Sequence, residues 1–306
     1  MRILYILFLM CILGQSGWSQ NDRLYTMYVF NKLQYNSAYA GSKEVLNIGA
    51  HYRHQWEGIE GAPRTITAFG HTPLGQGRSG IGLSVISDDI GLVNSTTFRA
   101  DYAYRIGFKN NSTLSMGLGA QVELNRFDWT LADIDNIVDD LIPFGEPSNS
   151  TFDFGLGVYY SGPKFYVGYS MPRMLANSLS NHNMTDFRNI NAMRIHYLMG
   201  GVVFPLGSKV HLKPSFLVSY IDNVPIEFDL NVSLLFLESF WVGASYRLGD
   251  SADAFVQFPL SRQLKVALGA DFTLSELNTL TKGSLELMVE YMFVYDNEKI
   301  NNIRFF

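Results

Sequence analysis

Residues 114–124 read Leu114-Ser115-Met116-Gly117-Leu118-Gly119-Ala120-Gln121-Val122-Glu123-Leu124. Every even position is apolar, and every odd position between them is small or polar. A strand points successive side chains to opposite faces, so this spacing sorts one wholly apolar face from one polar face. A helix would scatter the same residues around its circumference. The pattern returns from Ile226 to Phe236, where the odd set begins Glu227, Asp229, Asn231 and Ser233. It returns again from Leu264 to Leu274, against Lys265, Ala267, Gly269 and Asp271. The fold is built from strands.

Working outward, the same spacing marks fourteen segments: 45–57, 64–73, 79–89, 92–107, 112–126, 151–161, 164–172, 192–205, 208–221, 225–236, 239–248, 252–259, 263–274 and 283–295. Most are longer than the five or six residues usual in soluble sheets, and they suit a tilted bilayer crossing of about nine to eleven. Connections after even-numbered segments hold at most five residues, whereas those after odd-numbered segments include the long gaps 127–150 and 173–191. A soluble sandwich has no reason to sort loop lengths by parity. An outer-membrane barrel does, with short periplasmic turns and long external loops. Hydrocarbon cannot satisfy a free sheet edge, so such a sheet must close. The expectation is an all-β transmembrane antiparallel barrel of about 14 strands with periplasmic termini, resident in the outer membrane and in contact with its lipid.

Composition agrees. The 306 residues are 47% hydrophobic, 14% aromatic and only 17% charged, which excludes a disordered chain. A net charge of −5 leaves no basic footprint, so nucleic acid is not an expected partner. Met1-Arg2, the apolar run Ile3 to Leu13, and Gly17 and Ser19 read as a signal peptide over 1–19, too short to span a membrane. The only cysteine, Cys11, falls inside it, so the mature chain is expected to carry no thiol. The remaining divisions are an N-terminal arm over 20–44, the barrel over 45–295, and a periplasmic tail over 296–306.

Catalytic patterns are poor. The six histidines include no His-Glu-x-x-His pair, and no Gly-x-Ser-x-Gly elbow appears. Gly80-Ile81-Gly82 and Gly117-Leu118-Gly119 precede no helix, so they read as inward strand glycines that let the barrel bend or leave space inside. No catalytic residue, metal site or cofactor is expected. Three other features stand out. The inward parity carries Arg53, Gln55, Arg99, Asp101, Arg105, Glu123, Arg194, Glu227, Asp229, Arg247, Asp271 and Glu286. These form either a mutually paired lumen lining or a polar surface that binds a peptide or plug.

The gap 127–150 holds six carboxylates and no Lys or Arg. Its Asp133 and Asp135 resemble half a calcium loop, but the central glycine and spaced glutamate are lacking. Trp129, Leu131, Ile134 and Ile137 interleave with them at helical spacing. The segment is either a solvated acidic loop or an amphipathic piece lying on a partner or over the barrel mouth. The arm 20–44 carries Leu24, Tyr25, Met27, Tyr28, Val29, Phe30 and Leu33, an apolar set that must be buried. It either plugs the lumen or binds a periplasmic partner.

The opening Gln20-Asn21-Asp22-Arg23-Leu24-Tyr25-Thr26-Met27-Tyr28-Val29-Phe30-Asn31, followed by Asn36-Ser37-Ala38-Tyr39-Ala40-Gly41, resembles the PorP/SprF family of type IX secretion and gliding proteins of the Bacteroidetes. Tyr52-Arg53-His54-Gln55-Trp56, Trp241 to Arg247 and Gly283 to Phe293 extend the resemblance over nearly all of the mature chain. It departs from the pattern at Asn21 to Leu24 and at Ser37. The resemblance implies a non-enzymatic barrel that receives a secreted surface protein or adhesin with a type B C-terminal domain, or contacts periplasmic components of the secretion apparatus. A channel for small solutes is the competing role, since a polar inner face suits it too.

Overall fold

The computed structural model describes residues 25–128, 148–175, 194–222, 224–237 and 239–293. Fourteen antiparallel barrel strands run through them. They are β1 Leu46–His54, β2 Arg64–Leu74, β3 Ser79–Ile90, β4 Val93–Gly107, β5 Thr113–Phe127, β6 Ser148–Ser161, β7 Phe165–Arg173, β8 Ile195–Val202, β9 Val210–Ile221, β10 Glu227–Phe236, β11 Phe240–Arg247, β12 Ser251–Pro259, β13 Leu264–Thr273 and β14 Ser284–Phe293. After Val203, β8 resumes briefly at Phe204–Pro205, which still pairs with β9. Each strand pairs with its sequence neighbours, and β1 pairs with β14 in the register Leu46↔Phe293 to His54↔Leu285. The sheet is closed, so no edge meets lipid.

Burial is inverted relative to a soluble protein. Leu83 and Leu118 are 64% and 59% exposed on the outer face, while Asp101 and Arg247 are 4% and 2% exposed within. Outward Tyr104, Phe108, Phe165, Phe204 and Phe240 lie near the ends joined by the short turns 75–78, 108–112, 162–164, 206–209 and 237–239. Tyr220, Tyr246 and Phe272 lie outward near the opposite ends. Aromatic girdles at the two interfaces are the expected outcome for a barrel crossing a bilayer. The opposite mouth is where the connections 55–63, 128–147, 174–194 and 274–283 arise. By loop length that mouth is the cell-surface one.

Inside the barrel lies the chain's own N-terminal segment. Residues 25–41 are buried nearly throughout, with two 3-10 turns at Lys32–Gln34 and Ser37–Tyr39. They form one apolar cluster with inward side chains of the wall, among them Phe69, Tyr159, Tyr197, Leu217, Phe255 and Met288. Of the two placements open to the arm, the described part adopts the lumenal one. The space left by inward glycines is therefore occupied: a Cβ on Gly80, Gly117 or Gly157 would lie 2.2, 2.1 or 2.0 Å from Ala40 O, Ala38 N or Asn36 Oδ1.

Candidate functional site

The lumen is the best-defined candidate site, and it is organised around two carboxylates of β14. Glu286 shares its inward parity with Glu290, four residues on and about 13 Å along the strand. Glu286 accepts from the backbone amides of Thr26 (2.8 Å) and Met27 (3.1 Å) and lies 3.1 Å from His51 Nε2. Arg53 pairs with Glu286 and also donates to Asp271 at 2.8 Å. Glu290 pairs with Lys43 and accepts from Asn47 Nδ2 at 2.8 Å. The segment is thus held at its two ends by one strand, Thr26–Met27 above and Lys43 below.

Between those anchors the wall reads the plug's backbone. Arg99 donates to Gln34 O at 2.9 Å while its other nitrogens engage Asp101, and Ser170 Oγ donates to Tyr35 O at 2.8 Å. Arg105 donates to Gly41 O, and the Gly41 amide donates to His71 Nδ1 at 3.1 Å. Asn36 wedges into the wall: its Nδ2 donates to Val158 O (3.1 Å) and Tyr169 O (3.3 Å), and its Oδ1 accepts from Ala38 N. Small residues follow because the strip Asn36-Ser37-Ala38-Tyr39-Ala40-Gly41 lies directly on glycine backbone.

Charge inside the plug is managed differently. Lys32 is buried, donates to Val29 O at 3.0 Å, and sits over the rings of Tyr39 and Tyr166. Burial, with the Lys213 and Lys43 cations adding to it, holds its pKa well below that of an ordinary lysine. Burial pushes the Tyr28 and Tyr35 hydroxyls the other way, well above 10.0. Tyr35 OH accepts from the Tyr25 amide at 3.0 Å, and its ring meets Tyr197 edge-on at 5.0 Å. Lys32 and Tyr35 thus act as structural hydrogen-bonding partners. Among the described residues, no group of three or more His, Cys, Asp or Glu is placed to hold a metal.

The inward set read from the sequence divides clearly. Arg53, Arg99, Asp101, Asp229, Arg247 and Asp271 are buried in the lumen, and Arg247 pairs with Asp229 at 3.3 Å. Glu123 and Glu227 are half-buried nearer the loop-bearing mouth, and Gln55 lies just past β1, its amide donating to Pro63 O. Arg194 is a correction. It is exposed at the rim and donates to Met174 O at 3.0 Å. In β8 the inward places belong to Ile195, Tyr197 and Met199, which help form the cluster around the plug, so an apolar face replaces the polar one.

Trp129, Leu131, Asp133, Ile134, Asp135 and Ile137 lie outside the described residues, as do 1–24 and 294–306. Sequence reading missed Glu290, whose parity with Glu286 was the available signal. It missed Lys32 as well, for which there was none.

Comparison with known proteins follows the geometry. No curated protein matches the chain. Among solved structures, the Ralstonia pickettii toluene transporter TbuX matches with a TM-score of 0.52 at 11% identity, covering 91% of this chain and 95% of that one. The Acinetobacter baumannii outer membrane protein Omp33 matches with a TM-score of 0.48 at 12% identity, over 82% of this chain and 98% of that one. At such identity the TbuX likeness concerns the barrel fold alone. The family model for type IX secretion system membrane protein PorP/SprF matches residues 18–291, which take in the plug and nearly every strand, and the chain is a member of that outer-membrane family.

Proposed function

We propose that this barrel works as a non-catalytic surface station of type IX secretion, receiving or holding a secreted partner with a type B C-terminal domain. The observation that supports this over a solute channel is the lumen itself, occupied by residues 25–41 and tied to the wall at Glu286, Arg99, Asn36 and Glu290. With the interior committed to the chain's own segment, the surface left for a partner lies outside it. The connection between β5 and β6 joins strand ends at the loop-bearing mouth and carries Trp129 among carboxylates. Aromatic anchors supply most binding energy at such surfaces, and charge sets register and encounter rate.

The test is deletion of residues 131–146, with Trp129→Ala as the milder variant. Barrel folding is read by heat-modifiable migration, and function by surface-retained substrate in the same strain. A folded barrel that loses its substrate supports the reading. Normal retention removes this connection from the mechanism.

A further inference from the structure

We infer that the floor of the barrel is a collar for anionic phospholipid, in which five exposed cations bind the headgroup phosphates of the periplasmic leaflet. This goes beyond the reading of the surface mouth and does not depend on it. Six short turns join strands at the floor: 75–78, 108–112, 162–164, 206–209, 237–239 and 260–263. Arg78, Lys109, Lys164, Lys209 and Arg262 stand one to a turn and are all exposed, and only the turn 237–239 lacks a cation. None of the five is ion-paired with a described residue. Among the described residues, Glu44, just ahead of β1, is the only exposed carboxylate on that side. The loop-bearing mouth has the reverse balance: in its described connections Arg194 and Lys282 face Glu57, Glu60, Asp128, Asp222, Asp250 and Glu276. Unpaired cations are thus gathered at the floor.

Their neighbours fix the level at which they sit. Phe108 precedes Lys109, Phe165 follows Lys164, and Leu74, Leu206 and Leu260 lie two to four residues from Arg78, Lys209 and Arg262. These five apolar side chains are all exposed on the outer face, at its lower border. Lys and Arg lay their aliphatic stems along such surface and keep the charged head at headgroup level. The turns are also tight. Phe108 N donates to Ser112 O, Gly162 N to Phe165 O, Leu206 N to Val210 O and Leu260 N to Leu264 O, each at 2.8 Å, and Gly77 N donates to Leu74 O at 3.3 Å. The charges are held beside the bilayer surface and do not reach far into the periplasm.

Their distribution selects lipid over a protein partner. Successive turns stand two strands, about 10 Å, apart, so the cations follow the circumference of the wall. A soluble partner docks on one continuous face and would be served by cations collected on one arc or beneath the lumen. Anionic lipid surrounds the wall and meets each cation separately, through an attraction that falls off within a Debye length.

The test is lipid selectivity of the protein reconstituted in phosphatidylcholine vesicles, measured by electron spin resonance as the share of spin-labelled lipid immobilised at the barrel. Phosphatidylglycerol should be favoured over phosphatidylcholine by about fivefold, the factor one Lys or Arg supplies near an anionic lipid. Replacing all five cations by Gln should bring the ratio near one. So should salt at about 1 M on the parent, where the Debye length shrinks to about 3 Å, a control that involves no refolding. Lys282→Gln at the opposite mouth should leave the ratio unchanged. If heat-modifiable migration shows that the fivefold variant does not fold, Lys109→Gln with Lys164→Gln should lower the ratio partway. A parent with no preference for phosphatidylglycerol overturns the proposal and leaves the ring to an acidic protein face. A ratio unchanged in the folded variants overturns it too, because the selectivity would then arise elsewhere on the wall.

Discussion

Gly117 offers the sharpest test of how the plug is seated. Its added Cβ would lie 2.1 Å from Ala38 N and 2.4 Å from the Ser37 carbonyl carbon, both backbone atoms. Unstrained contacts of this kind sit near 3.5 Å, so Gly117→Ala must push the strip back by more than about 1 Å. No side-chain rotation can relieve it. The strip cannot yield alone either, because Asn36 is bonded to Val158 O and Tyr169 O and Ala40 rests on Gly80. Overpacking typically costs about 1–3 kcal/mol, and clamped backbone on both sides places this case at the top of that range. About 3 kcal/mol raises the undocked population roughly a hundredfold.

Gly119→Ala is the matched control on the same inward face. There the one tight approach of the added Cβ is to Asp101 Oδ1, at 2.9 Å, a side-chain tip rather than backbone, with Arg99 Nε and Nη2 at an ordinary 3.7 Å, and the cost should stay under about 1 kcal/mol. The assays are the thermal midpoint of heat-modifiable migration and single-channel current in planar bilayers. Gly117→Ala should lower the midpoint and produce current bursts as the plug lifts, while Gly119→Ala behaves as the parent. Identical behaviour of the two variants in both assays would refute the seating argument.

Other perturbations report on the anchors and the lipid face. Glu286→Gln leaves Arg53 with Asp271 alone and weakens the hold on Thr26 and Met27. The loss should fall at the low end of the about 3–5 kcal/mol typical of breaking a buried ion pair, read as a lower thermal midpoint, and an unchanged midpoint would show that Glu286 is not the anchor. Leu118→Arg, mid-strand on the outer face, should impair assembly by about 2–4 kcal/mol, and normal membrane insertion would mean that this face does not meet lipid. Lys32→Met should keep the barrel folded at an equal or higher midpoint. The amine makes one hydrogen bond to Val29 O, and burial already disfavours its charge; loss of the folded band would show that the cation itself is required.

Much of the fold was legible because a barrel wall is a local pattern. Period two assigns each residue to one face, and lipid on the outside makes the apolar side continuous, as in Leu114, Met116 and Leu118. The long connections 55–63, 128–147, 174–194 and 274–283 all fall at one mouth because the two mouths face different compartments. Parity also put Arg53, Asp101, Asp229 and Asp271 on the inner face, and all four are buried. It failed at Arg194, because β8 presents Ile195, Tyr197 and Met199 to the plug, and an apolar inward face erases the alternation on which the reading depends.

The sequence by itself determined that this chain is a closed outer-membrane barrel with an apolar outside, and that its N-terminal arm must bury aromatics somewhere. Where the arm goes was decided only by tertiary structure. Nothing in the spacing of Asn36, Ala38 and Ala40 points to Gly157, Gly117 and Gly80, which lie far along the chain and become neighbours only when the sheet closes. Lys32 likewise looks like a solvated charge until Tyr39 and Tyr166 enclose it. Strand character arises from neighbours a few residues apart and survives in any window of sequence. A plug is specified by contacts between distant segments, and its seat in the lumen depends on where Glu286 and Glu290 stand in the finished wall.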